Sequence, residues 1–185
     1  MPSRKKPSRR TRVLTGGAAL AVVGAGVVGT VAANAADATP AAAPVAARGG
    51  ELTQSTHLSV DAAVKAARAA LEAAEKDGRQ VSVAVVDRNG NTVVTLRGDG
   101  AGPQSYESAE RKAYTAVSWN APTSELAKRL AQAPNLKDIP GTLFLAGGAP
   151  VTAKGAPVAG IGVAGAPSGD LDERYAQAGA AVLGR

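Results

Sequence analysis

The segment QVSVAVVDRNGNTVVTLR, Gln80 to Arg97, restricts the fold more than any other part of the chain. Two β-branched runs, Val81–Val86 and Thr92–Leu96, flank Asn89-Gly90. Branching at Cβ favours extended backbone, and Asn-Gly supplies the positive φ that a tight hairpin turn requires. The segment is therefore predicted to double back as an antiparallel pair. Around it the periodicity is helical. Ser59 is a good N-cap for a helix with Val60, Val64, Ala67, Leu71 and Ala74 on one face, ended by Gly78. After the hairpin, SYESAERKAYTAVSW predicts a helix to Trp119, broken at Asn120-Ala121-Pro122, with Thr123 capping a shorter helix to Leu130. Three short strands are expected at about 142–146, 149–153 and 157–164. Asp170 with Glu173 then forms a capping-box-like start for a last helix through Leu183. Hairpins without regular β-α-β alternation indicate an α+β fold, an antiparallel sheet of about five strands covered by helices.

The ends of the chain change the meaning of its charge. The net charge is +6, which suggests a partner such as nucleic acid. Six of the 21 basic residues (Arg4, Lys5, Lys6, Arg9, Arg10 and Arg12) stand before the apolar run Val13–Ala33 and the site Ala33-Asn34-Ala35. A basic stretch, an apolar run and an A-x-A site in that order predict a secretory signal peptide over residues 1–35. The adjacent arginines in SRRTRVL suggest twin-arginine export, although Arg12 stands where a hydrophobic residue is usual. Residues 36–51, rich in Ala, Pro and Gly, are expected to be a disordered linker, which leaves 52–185 as the folded domain. Without the leader, basic residues equal the 15 acidic ones in number. A protein that neutralises phosphates needs a cationic surplus, so nucleic acid is not expected as a partner.

The chain has no Cys, one His and one Met, the initiator. No disulfide framework or thiolate site is possible, and a bound metal or haem must use oxygen ligands, His57, or both. Two G-x-G-x-x-G matches carry no dinucleotide signal. Gly24–Gly29 lies in the leader, and Gly160–Gly165 lies within an expected strand and lacks the acid about 20 residues on. The second set is expected to let a helix approach the sheet closely. GAPSGD opens onto a helix and reads either as a tight loop or as an anion-accepting N-terminus. With no nucleophile elbow and no cysteine, nucleophilic hydrolysis is not expected. Glu107 and Glu110, three apart, leave one side of their helix. They read either as a solvated face, with Glu107 and Arg111 paired at i,i+4, or as two carboxylates sharing a hard cation such as iron.

VSVAVVDRNGNTVV, ERKAYTAVSWNAPTSEL, PGTLFLAGGAPV and VAGIGVAGAPSGDLDERYAQAG occur in that order. Together they resemble the GlcG/HbpS family, and within it the secreted haem-binding members, over about residues 52–185. The resemblance implies a profilin-like α+β fold, a homo-oligomer (an octamer), haem and ferric or ferrous iron as ligands, and location outside the membrane. It also implies a membrane sensor histidine kinase as partner, which reads haem and redox stress. It points to Thr142 as a residue near the haem iron and to Glu107 and Glu110 as a surface iron site; beside it, His57 is the one imidazole available to haem iron, and Arg111 and Lys112, on the same helix, are cations for haem propionates. Absence of Met and Cys after the leader suits an oxidant-exposed sensor. Other functions within reach of the same resemblance are a haem-degrading or peroxide-removing enzyme, a corrinoid-associated domain, and a structural oligomer of unknown ligand. Low aromatic content, 3%, argues against a deep porphyrin pocket within one chain and for one shared between subunits.

Overall fold

A computed structural model describes residues 44–184. The expected signal peptide and the first half of the expected linker lie outside these residues. From Ala47 onward the chain forms one compact unit. Residues 44–48 have no regular structure, and Gly49–Glu51 make one 3-10 turn. Among the described residues no helix is long and apolar enough to cross a membrane.

The elements follow in the order α1 (Val60–Lys76), β1 (Ser82–Asp87), β2 (Thr92–Arg97), α2 (Pro103–Trp119), α3 (Thr123–Arg129), β3 (Gly148–Ala153), β4 (Ala156–Ala164) and α4 (Gly169–Ala181). The strands pair in the order β2-β1-β4-β3, all antiparallel, so the fold is α+β with an open sheet of four strands, one fewer than expected. The missing strand is 142–146. Its backbone groups are taken by side chains of α2. Arg111 donates to the Thr142 carbonyl at 2.9 Å, and the Thr115 hydroxyl accepts from Leu143 N at 2.8 Å. These two groups, one acceptor and one donor, are thereby lost to a ladder.

Helices α1 and α4 cover one face. The α1 stripe Ala63, Ala66, Ala67, Ala70 and Ala74 is fully buried against Val81, Val83, Val85, Ile161 and Val163 of the sheet region and against Tyr175 and Ala176 of α4. Small residues throughout this layer let the helices sit close without aromatic filling. Helix α2 lies on the other face, with Ala109, Ala113 and Val117 against Ala84, Val86 and Ala164. Its approach depends on β4. A Cβ placed on Gly160 or Gly162 would overlap the backbone carbonyls of Ala113 and Ala109. The glycines read as a failed dinucleotide motif are thus close-approach residues, as the sequence indicated.

The hairpin forms as predicted, with a different turn. Gly90 N donates to the Asp87 carbonyl at 3.0 Å, and Gly90, not Asn89, takes positive φ (87°). This is a turn centred on Arg88-Asn89 followed by a left-handed glycine. Asp87 organises it. Its carboxylate accepts from Asn89 N and Asn91 N, each at 2.8 Å, and from the Asn91 side chain. Burial by itself would raise the Asp87 pKa, but these donors and His57 outweigh it and hold the carboxyl below its ordinary 3.8.

Two expected caps are corrected. Ser59 caps α1 as read, accepting from Ala62 N. Helix α4, however, is capped by Ser168, which accepts from Leu171 N, and not by an Asp170–Glu173 box. Glu173 turns inward and serves α3. Its carboxylate accepts from Ser124 N at 2.9 Å and from the Ser124 hydroxyl at 2.6 Å. Pro122 occupies the α3 N-cap without a side-chain bond. Thr123 is therefore released from capping, and its hydroxyl accepts from Gly148 N at 2.7 Å.

Candidate functional site

The candidate residues gather on the outward half of α2 and the loop facing it. Glu107, Glu110 and Arg111 leave the helix away from its alanine stripe. Glu107 is 77% exposed, and its carboxylate stands 3.7 Å from Arg111, the i,i+4 pair read from the sequence. Glu110 turns toward the sheet, where it accepts from the Thr95 hydroxyl at 3.0 Å. The two glutamates share a side of the helix but engage different partners. Among the described residues no group of three or more His, Asp or Glu could hold a metal.

Arg111 connects this helix face to the loop. While Nη1 faces Glu107, Nη2 donates to the Thr142 carbonyl. The guanidinium forms the wall between two clefts. One, about 150 Å³, is lined by Val86, Gly90, Thr92, Glu110, Tyr114 and Gly141. Gly90 is needed there because a Cβ would meet the Tyr114 ring at 2.8 Å. The other, about 270 Å³, is walled by Leu130, Leu143, Phe144 and Leu145, with Thr142, Arg111 and Lys137 adding polar atoms. Phe144 is held from behind by Trp119, edge to face with ring centres 5.2 Å apart.

Thr142 is 2% exposed, and its hydroxyl donates to the Ile139 carbonyl at 2.7 Å. The residue lines the larger cleft, and its hydroxyl is already engaged in a hydrogen bond. His57 sits elsewhere. Its Nε2 is 2.6 Å from the Ser55 hydroxyl and its Nδ1 is 3.8 Å from Asp87, at the hairpin turn, and it lines neither cleft beside Arg111. The structure brings Glu107, Arg111 and Thr142 together and leaves His57 apart.

Lys112 corrects the sequence reading. One residue beyond Arg111 is about 100° around a helix, which turns this side chain inward. It is 5% exposed. Its ammonium donates to Asp172 at 2.8 Å and to the Val163 carbonyl at 3.0 Å, tying α2 to α4 and β4. Burial pushes the Asp172 carboxyl above its ordinary value, against the pull of Lys112 and of the backbone donors Ala166 and Gly165. Lys112 is spent on this buried pair; the exposed cation beside Arg111 in the larger cleft is Lys137. The signal for it was present. Lys137 stands five residues before Thr142 in a segment with Leu136, Leu143, Phe144 and Leu145, an apolar run whose spacing suggests a strand and so hides the cation beside it.

The residues lining the larger cleft fit the periphery of a porphyrin, with apolar side chains for the ring face and two cations for its carboxylates. They offer iron only a hydroxyl. A family model described as "Haem degrading protein HbpS-like" matches residues 58–181. The chain belongs to the HbpS-like family. Two solved HbpS-like structures are similar over their entire lengths. One is the crystal structure of the Streptomyces reticuli HbpS double mutant in which two glutamates three apart are replaced by aspartate, with 90% identity, 79% of this chain covered and a TM-score of 0.77. The other is a crystal structure of HbpS with 91% identity, 76% of this chain covered and a TM-score of 0.75. A more distant structure is the PduOC:Heme complex, with 29% identity over 68% of this chain and 94% of that one, and a TM-score of 0.63. No curated protein matches the chain. In this HbpS-like chain the spacing of the exchanged glutamates occurs at Glu107 and Glu110, and again at Glu72 and Glu75 on α1.

Proposed function

We propose that this protein is an exported, oligomeric haem-binding protein that captures haem and released iron and signals haem and redox stress through a membrane sensor histidine kinase. The single observation that carries the haem reading is the cleft in which Thr142 and Arg111 meet Phe144 and its leucine neighbours. Family membership and the haem complex of a relative at 29% identity support it. Bound haem would supply redox-active iron. Leu143, Leu145 and the buried Phe144 would hold its ring face and Arg111 a carboxylate, while the Thr142 hydroxyl is fixed by its bond to the Ile139 carbonyl. Arg111 is oriented for that task by its bond to the Thr142 carbonyl, and the exposed Glu107, 3.7 Å away, adds little. Export rests on residues 1–35 and the kinase on the family resemblance.

Iron capture is assigned to Glu107 and Glu110. Their spacing, and the exchange of two glutamates at the same spacing in a relative, support it. Two carboxylates fall short of the six or more oxygen ligands hard cations favour, so a second copy of the chain would complete the shell.

Titration of the purified protein with haemin, followed by absorbance, tests the reading. A new Soret band is expected, and Thr142→Ala should shift its position. A spectrum identical to wild type would remove Thr142 as the contact to iron. The family description favours a second reading, haem degradation. With reductant and oxygen present, a stable band supports the sensor, whereas bleaching with release of a linear tetrapyrrole supports the enzyme. For iron, Glu107→Ala with Glu110→Ala should abolish binding by calorimetry and leave haemin binding intact. If the paired Glu72→Ala, Glu75→Ala variant is the one that loses iron, the site lies on α1.

A further inference from the structure

We propose that the cleft beside Arg111 recognises its ligand by carboxylates and an apolar ring face, with Lys137 as the second cation, so that it takes a metal-free dicarboxylate porphyrin nearly as well as haem. The inference rests on the haem reading and adds to it the ligand class and a residue that selects it.

The chemistry of the cleft wall carries the argument. Leu130, Leu143 and Leu145 present apolar surface, backed by the buried Phe144. Arg111 and Lys137 are its only charged residues, and both are cations. Lys137 is exposed on the 3-10 turn Pro134–Asp138, and among the described residues it makes no ion pair. The Arg111 fork keeps donors to spare beyond the one given to the Thr142 carbonyl. An apolar plane with two cations at its edge matches a flat macrocycle bearing two carboxylates.

The iron, by contrast, meets little. No imidazole, thiolate or thioether lines the cleft. His57 is occupied at the hairpin turn by Ser55 and Asp87. The Thr142 oxygen is neutral and donates its proton to Ile139, which makes it a weak metal ligand beside the histidine, thiolate or tyrosinate that usually hold haem iron. Affinity then comes from burial of the ring and from the charge pairs, and neither requires a metal.

Trp119 gives a readout independent of iron. It is the only tryptophan, and its ring packs edge-on against Phe144, so a ring bound over Phe144 quenches its emission. The full chain is titrated with haemin and, separately, with protoporphyrin lacking a metal. Both should quench, with dissociation constants within about threefold of each other. Lys137→Gln should weaken both about tenfold, the scale of one charge-assisted hydrogen bond. Lys65→Gln, on the exposed side of α1, should weaken neither. If haemin saturates the protein while protoporphyrin leaves Trp119 unquenched, the iron holds the ligand; if Lys137→Gln binds both ligands like wild type, Lys137 is not the second cation; either result overturns this inference while the haem reading stands. If neither ligand changes emission or absorbance, both fall.

Discussion

Adjacent residues on one helix can have opposite fates, and Arg111 and Lys112 show it. From the string ERKAY both looked like cations on one surface. Yet Lys112 stands at i+3 from Ala109 and four before Ala116, on the buried row of α2, whereas Arg111 is off that row. Helical spacing applied residue by residue would have separated them; what it could not supply was the partner, because Asp172 is sixty positions away. The pair makes a sharp prediction. Lys112→Met removes the cation and strands a carboxylate in the interior, which should destabilise the fold by about 3–5 kcal/mol at neutral pH. The pH dependence has a definite sign. The folded pKa of Asp172 already lies above its ordinary 3.8, so the folded state resists ionisation, and this group lowers stability as pH rises past 3.8. Without Lys112 that resistance grows. The deficit relative to wild type should therefore be largest at neutral pH and shrink in acid as Asp172 takes up its proton. Urea unfolding of both proteins at neutral and acidic pH measures it. A pH-independent deficit would place the loss in packing instead of charge.

At the scale of elements, helices and hairpin were legible because their signals are local. Ser59, the alanine and valine spacing of α1, and the β-branched runs around Asn89-Gly90 are all complete within about twenty residues. The segment 142–146 failed for the converse reason. Threonine, leucine and phenylalanine in sequence read as a strand, but Arg111 and Thr115, one helical turn apart on α2, capture its backbone first. That capture converts a would-be edge strand into the wall of the candidate cleft. It also makes the cleft depend on how closely α2 lies on the sheet, hence on Gly160 and Gly162. Gly162→Ala would drive a methyl group into the Ala109 carbonyl, which cannot rotate aside as a side chain could. The expected loss is about 1–3 kcal/mol, the range of overpacked cores. Thermal unfolding should show it, and haemin binding should weaken in parallel because Arg111 and Thr115 move with their helix. Unchanged stability in this variant would mean that α2 is free to shift, contrary to its position between β4 and the loop.

At the scale of the whole molecule, the question is whether one chain can hold the ligand assigned to it. The larger cleft, at about 270 Å³, falls below the roughly 300–1,000 Å³ typical of pockets for drug-sized molecules. One of its walls, Leu145, is a leucine 58% exposed, and Ile139 nearby is also exposed. Exposed aliphatic side chains of this kind can mark a surface that meets another chain. Composition pointed the same way. With one tryptophan, one phenylalanine and three tyrosines in 185 residues, a single chain cannot line a deep aromatic pocket. Which surface closes the cleft was beyond the sequence, because the fold's interior is spent on alanine and valine contacts that leave no periodic trace of an interface. The consequence is testable through one residue. Leu145→Glu leaves the buried layers untouched, so folding by circular dichroism should be retained. The charge should disrupt both assembly and the cleft, giving a smaller sedimenting species with weaker haemin binding than wild type. A variant that keeps the wild-type mass but loses haemin would confine Leu145 to the cleft of its own chain. One that dissociates yet binds haemin fully would show that a single copy suffices, and the undersized cleft would then have to open around its ligand.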